Sequence, residues 1–236
     1  MALDGSAPIR VSVTTVDQLS DLPLASPPGF DATFRERLLD LLKWRRDVRR
    51  FKRAPLPGGS IERLIGIACL SPSVGLSEPW RFVIVEDEAR RALIRQCFEA
   101  CNKDALEMQT PDRAALYARL KLAGLDDAPC QIAVFSDHST AQGSNLGRQT
   151  MPEALDYSVA IAIHTLWLAA RAEGLGVGWV SILDPSRMAA FLDVPKEWRF
   201  IGHLCVGYPV QDDDRPALQR EGWEHRRSVN GRLLYR

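Results

Sequence analysis

With 236 residues, 46% of them hydrophobic, and 30 basic side chains balanced by 30 acidic ones, the chain has the composition of an ordinary soluble globular protein. Zero formal net charge excludes a broad nucleic-acid-binding face, which needs a basic excess over an extended surface. The five cysteines are odd in number and lack a Cys-x-x-Cys spacing, and the four histidines are scattered singly. Reduced thiols are therefore expected, with no metal site.

Residues 1–30 carry Pro8, Pro23, Pro27, Pro28, Gly5 and Gly29 and no trusted apolar period. They read as a flexible arm ahead of one domain spanning 31–236. The arm has no secretory pattern, which places the protein in the cytoplasm. Asp31 is positioned to cap a helix to about Trp44, with Phe34, Leu38, Leu41 and Leu42 on one stripe. That helix delivers Trp44-Arg45-Arg46-Asp47-Val48-Arg49-Arg50-Phe51, four arginines around one carboxylate. Several guanidinium forks in one turn can hold a phosphate dianion and leave Asp47 facing something else. On this octapeptide alone, a solvated basic helix end is an equal reading.

The Pro57-Gly58-Gly59 turn and a capping Ser60 open a second helix, whose buried face is Ile61, Leu64, Ile65, Ala68 and Cys69. Residues 71–81 are too rich in Ser, Pro and Gly for a regular element. They form a loop feeding the strand Phe82–Val85, and the loop either packs Trp80 over a core edge or offers hydroxyls to a polar ligand. Surface helices follow at about 89–101 and 111–122, then a strand over Cys130–Phe135 and a long polar loop over 136–150.

The longest helix, 153–173, is apolar on most sides and is a core or subunit-interface helix. Asp156, His164 and Arg171 leave it short of the roughly 20 apolar residues of a membrane span, and His164 is expected to be a hydrogen-bonded core histidine. Gly174-Leu175-Gly176-Val177-Gly178 follows a helix and precedes a strand. That order is the reverse of a dinucleotide-binding turn, so the glycines stop a helix ahead of a buried strand with Ser181 near its end. Gly-x-Ser-x-Gly is absent, which excludes a serine-hydrolase elbow. A helix from Asp184 to Leu192 and a strand over Phe200–Val206 complete an α+β fold, one sheet packed against helices with a long core or interface helix.

Arg45-Arg46-Asp47-Val48-Arg49, the loop from Pro72-Ser73 to Pro79-Trp80, and Gly174-Leu175-Gly176 leading to Trp179 together resemble the FMN-dependent nitroreductase family. The resemblance holds in content and order from about Phe34 to Pro209. It implies a nitroreductase-like fold and an intertwined homodimer with active sites across its interface. The arginine segment would bind the phosphate and ribityl end of FMN, and the Pro-Ser loop would contact the flavin.

Two departures select a branch of the family. Asp47 stands where a serine is common, and Leu76 and Glu78 stand where an Asn and a Gln are common. Asp47 with Gly178-Trp179-Val180-Ser181 is similar to the branch that destroys its flavin, in which reduced FMN is the substrate. The resemblance then implies oxygen-dependent fragmentation of reduced FMN to 5,6-dimethylbenzimidazole and erythrose 4-phosphate, for the lower ligand of vitamin B12. Arg45, Arg46 and Arg49 would hold the phosphate, and Asp47 would act as acid or base. Ser181 would orient the flavin or a proton path, and Val48, Ser71, Pro72, Ser73 and Leu76 would line the flavin site. The partners implied are reduced FMN and dioxygen, with NAD(P)H or a flavin reductase as electron source. A generic NAD(P)H-dependent FMN oxidoreductase and a noncatalytic flavin-binding protein remain the alternatives.

Overall fold

The structure, a computed structural model, describes residues 28–119 and 124–236. The arm expected over 1–30 lies outside the described residues except for its last three, as does the end of the helix expected over 111–122.

Helix α1 (Ala32–Trp44) is capped by Asp31, whose carboxylate accepts the Phe34 N–H at 2.7 Å. Its apolar stripe is left open by the described residues: no α1 residue is buried, and Phe34, Leu38 and Leu42 are exposed. Helix α2 (Ser60–Ala68) differs from expectation at its start. The cap position is Gly59 at φ 77°, while Ser60 is the first helical residue and its side chain caps nothing. Glycine adopts this left-handed backbone without a Cβ penalty.

Strand β1 (Trp80–Ile84) is followed by α3 (Glu88–Glu107), capped by Asp87, then α4 (Pro111–Arg119) and the short α5 (Gly124–Asp127). Then come β2 (Cys130–Asp137), α6 (Ala154–Ala172), β3 (Gly176–Val180), α7 (Pro185–Phe191), β4 (Trp198–Gly207) and α8 (Ala217–Arg220). The sheet order is β1-β2-β4-β3, antiparallel throughout.

Alternation along the two central strands divides the core between the faces of the sheet. Ile132, Val134, Leu204 and Val206 join Leu64 of α2 and Val159, Ile163 and Leu166 of α6. Ala133, Phe135 and Cys205 join Ile94 and Cys97 of α3 and Met188 of α7. Strand β2 is buried along its whole length, which is why its sequence reads as an apolar run. Gln131 and His203 lie inside this core. The Gln131 amide N–H₂ donates to the Leu125 carbonyl at 2.9 Å, and its Oε1 lies 2.9 Å from His203 Nε2. Burial, reinforced by Arg91, pushes the His203 pKa down to about 3, so the ring is neutral at physiological pH.

Helix α6 packs in the core, as one of its two readings had it, but His164 is exposed, contrary to its reading as a core residue. Residues 162, 163, 166, 167 and 170 take the inward positions, and position 164 falls on the opposite side of the helix. No described helix is long and apolar enough to cross a membrane.

Candidate active site

The arginine segment leaves α1 as extended chain rather than as another helical turn. The Arg45 N–H still donates to Leu41 at 2.8 Å, but its own backbone is already extended (φ −65°, ψ 120°). From there the chain runs beside β3 and past the end of β4. The Val48 N–H donates to the Val177 carbonyl at 3.0 Å, Lys52 N–H to Tyr208 at 2.8 Å, and Val210 N–H to Arg50 at 3.1 Å. The expectation of several arginines clustered in one turn is therefore corrected. The strand-like hydrogen bonds to β3 outcompete further helix, and the side chains are dealt to both sides of an extended ribbon.

Two glycines admit this ribbon. A Cβ on Gly176 would lie 2.6 Å from Val48 Cγ2, and one on Gly178 would collide with the Val48 carbonyl oxygen. The Gly-x-Gly sequence is thus a seat for Val48, and it places Asp47 over the following residues of β3. The Asp47 carboxylate accepts the Trp179 backbone N–H on Oδ1 at 2.9 Å, and Oδ2 lies 3.7 Å from Arg49 Nε. The Asp47 side chain is half-buried, and the desolvation raises its pKa from the ordinary carboxylate value against the Trp179 N–H, Arg49 and Arg45, all of which lower it. A carboxyl group held this way can keep a proton nearer to neutral pH than a free aspartate.

The guanidiniums beside it are partly desolvated. Arg45 lies over the Trp167 ring at 4.7 Å, and the Trp167 indole N–H donates to the Arg46 carbonyl at 3.1 Å. Burial lowers the pKa of both Arg45 and Arg46, and Arg226 adds to this by repulsion. Arg46 donates from its two terminal nitrogens to the Arg45 and Asp214 carbonyls, yet among the described residues its Nε has no partner, and neither has Arg49 Nε within hydrogen-bond range. Buried donors without acceptors are costly, so these two atoms mark where an anion fits.

They border a cavity of about 550 Å³ between the arginine segment, the C-terminal end of α6 and the chain after β4. Arg46, Arg49, Arg50, Arg171, Arg215 and Arg220 face Asp47, Asp212, Asp213 and Glu221 around it. The excess of two positive charges matches a phosphate monoester, which carries about 1.5 to 2 negative charges near neutral pH. The volume lies within the roughly 300–1,000 Å³ usual for ligand sites. The residues present therefore fit the phosphate end of FMN.

Of the residues singled out from the sequence, Arg46, Asp47, Val48 and Arg49 border this cavity, while Arg45 stands behind it on Trp167. The others are not among its walls. Ser71 is buried, with its hydroxyl donating to Thr165 Oγ1 at 2.7 Å, and Ser73 Oγ accepts the Glu78 N–H at 3.1 Å. Pro72 and Leu76 are exposed, Leu76 with a left-handed φ of 53° and its carbonyl accepting from Gln142 at 2.7 Å. Ser181 is exposed just past the end of β3.

Sequence reasoning missed Trp167, Arg171 and the wall from Asp212 to Arg220. Asp212 pairs with Arg171, and Asp213 pairs with Arg220 at 2.8 Å. The one available signal was the acidic run 212–214 in an otherwise arginine-rich tail.

Comparison with known proteins identifies the family of the chain. A family model described as the Nitroreductase family matches residues 42–208. A protein of Rhodospirillum rubrum named 5,6-dimethylbenzimidazole synthase is 54% identical over 200 residues, covering 85% of this chain and 95% of the relative. One of the same name from Rhodobacter capsulatus is 46% identical over 196 residues, covering 83% and 95%. Among solved structures, oxidised iodotyrosine deiodinase bound to FMN and 3-iodo-L-tyrosine superposes with a TM-score of 0.63 at 30% identity, covering 75% of this chain and 91% of that one.

Proposed function

The chain belongs to the nitroreductase family, and from that premise we propose that it acts as a 5,6-dimethylbenzimidazole synthase, breaking reduced FMN with dioxygen into 5,6-dimethylbenzimidazole and erythrose 4-phosphate for the lower ligand of vitamin B12. The observation that carries the reading is the Asp47 carboxyl group on the wall of a ligand-sized cavity with an excess of basic side chains, where desolvation raises its pKa. A cofactor-retaining oxidoreductase has less use for such a proton carrier than an enzyme that must move several protons while a ring is taken apart.

Reduced FMN supplies the electrons that dioxygen takes up and the ring that becomes the product. Arg46 and Arg49 hold the phosphate through their free Nε donors, with Arg45 behind them, supported on Trp167. Asp47 keeps Oδ1 on the Trp179 N–H, so Oδ2 is the atom that gives and takes the proton. A phosphate among the arginines cancels their lowering effect on Asp47, so binding itself favours the protonated form. Ser181 orients the flavin or the proton path.

Ser71, Pro72, Ser73 and Leu76 contact the flavin of a site completed by a second copy of the chain. Support for this dimer comes from the uncovered α1 stripe and from Tyr157 and Ile161, exposed on α6. The domain is 31–236, the setting is the cytoplasm, and NAD(P)H or a flavin reductase provides the reduced flavin.

The test is to bind reduced FMN without oxygen, admit oxygen, and identify the products by mass. Formation of 5,6-dimethylbenzimidazole is expected. Return of intact oxidised FMN, with turnover of a nitroaromatic by NAD(P)H, would overturn the reading.

A further inference from the structure

We infer that Gly176, by seating Val48, is a positioning residue for the Asp47 carboxylate; the inference rests on the reading of Asp47 given above. Both ends of the Asp47 geometry are fixed by one short strand. Val48, the next residue, lies in the space of the missing Cβ at 176, and Trp179, three residues further along β3, supplies the N–H that Asp47 Oδ1 accepts at 2.9 Å. Strand β3 cannot yield, because it is paired along its length with β4, with Gly176 opposite Gly207 and Gly178 opposite Cys205. On the same face of that pair, a Cβ at Gly207 would lie 2.6 Å from Pro129 Cδ, so β4 is covered there as closely as β3 is by Val48.

The arginine segment is therefore the part that moves if the seat is filled. An alanine at 176 puts carbon 2.6 Å from Val48 Cγ2, whereas ordinary carbon contact begins at about 3.5 Å. Relief requires Val48 to withdraw by most of an ångström, which carries Asp47 away from the Trp179 N–H. A displacement of this size at a reacting group costs about 10²-fold in favourable cases.

The experiment is a size-complementation cycle in the full chain: Gly176→Ala, Val48→Ala and the double variant. Removal of the two γ-carbons of Val48 leaves its Cβ at 3.1 Å from the new carbon, a contact that a small adjustment relieves. Two quantities are read: product formed per bound flavin in a single turnover, and the pH titration of the Trp179 amide proton by NMR. The second needs neither flavin nor activity.

Gly176→Ala is expected to reduce product about tenfold or more when Val48 is present, but less than about threefold in the Val48→Ala background. The Trp179 amide should change its titration in Gly176→Ala and return, in the double variant, to that of Val48→Ala. Equal losses in both backgrounds, or a Trp179 amide in Gly176→Ala that titrates as in the wild type, would overturn the inference. If Gly176→Ala does not fold, Val48→Ile crowds the same seat from the other side, and an undisturbed Trp179 amide there overturns it equally. A wild type that makes no 5,6-dimethylbenzimidazole would refute the proposed function, while the amide titration still decides the seat.

Discussion

Asp47 Oδ1 accepts the Trp179 backbone N–H at 2.9 Å, a bond between residues 132 positions apart. It holds Oδ1 in one orientation and leaves Oδ2, 3.7 Å from Arg49 Nε, without a hydrogen bond among the described residues. The backbone donor survives every substitution of the Trp179 side chain that leaves β3 intact, so the orientation is a property of the strand.

Asp47→Asn keeps the size of the side chain and an acceptor for the Trp179 N–H but removes the titratable proton. The variant should bind reduced FMN within a few-fold of wild type and form 5,6-dimethylbenzimidazole about 100-fold more slowly or worse. With Asp47 as the acid, wild-type product formation per bound flavin should fall as pH rises through its raised pKa, and Asp47→Asn should lack that limb. Normal product per bound flavin in the variant would remove Asp47 from the chemistry.

Arg49→Ala deletes one of the two guanidiniums whose Nε lacks a partner. A charge-assisted hydrogen bond is worth about 1.5–3 kcal/mol, so affinity for reduced FMN should drop by roughly 10- to 150-fold. Anaerobic equilibrium dialysis measures it, and unchanged affinity would take Arg49 out of the phosphate site.

His203 makes stability depend on pH. Its pKa falls from 6.5 when unfolded to about 3 when folded, so between these values the unfolded chain binds the extra proton. The contribution of neutral His203 is thus fully present above pH 6.5 and lost progressively toward pH 3, at up to about 1.4 kcal/mol per pH unit. Urea unfolding at several pH values should show this slope, and His203→Gln should flatten it. An equal slope in both proteins would assign it elsewhere.

The α1 stripe should lie in a subunit interface, because Phe34 at 45%, Leu38 at 39% and Leu42 at 40% exposure are left uncovered by the described residues. Sedimentation at micromolar concentration should give a dimer, and Leu38→Asp should shift it toward monomer and weaken FMN binding with it. A wild-type monomer with full flavin affinity would show that one chain makes a complete site.

What the sequence determined by itself was local and periodic. The Asp31 cap, the helix start at Asp184, the helix stop at Gly174 and the apolar run of β2 follow from spacing that each segment carries alone. The family was legible through the resemblance of three separated motifs in order, whereas the arginine segment alone reads equally well as a solvated basic helix end. Tertiary structure decided the conformation and the protonation. The arginine segment became an extended ribbon because β3 offered it hydrogen bonds, and Gly176 and Gly178 let it approach. His164 turned outward because its neighbours at 163 and 166 had the stronger claim on the core. The raised pKa of Asp47, and the cavity wall from Asp212 to Arg220, come from groups brought together across more than 100 positions. Helical and strand periods encode which face of an element is apolar, but desolvation and Coulomb effects depend on what the fold stacks against that face, and no local spacing records it.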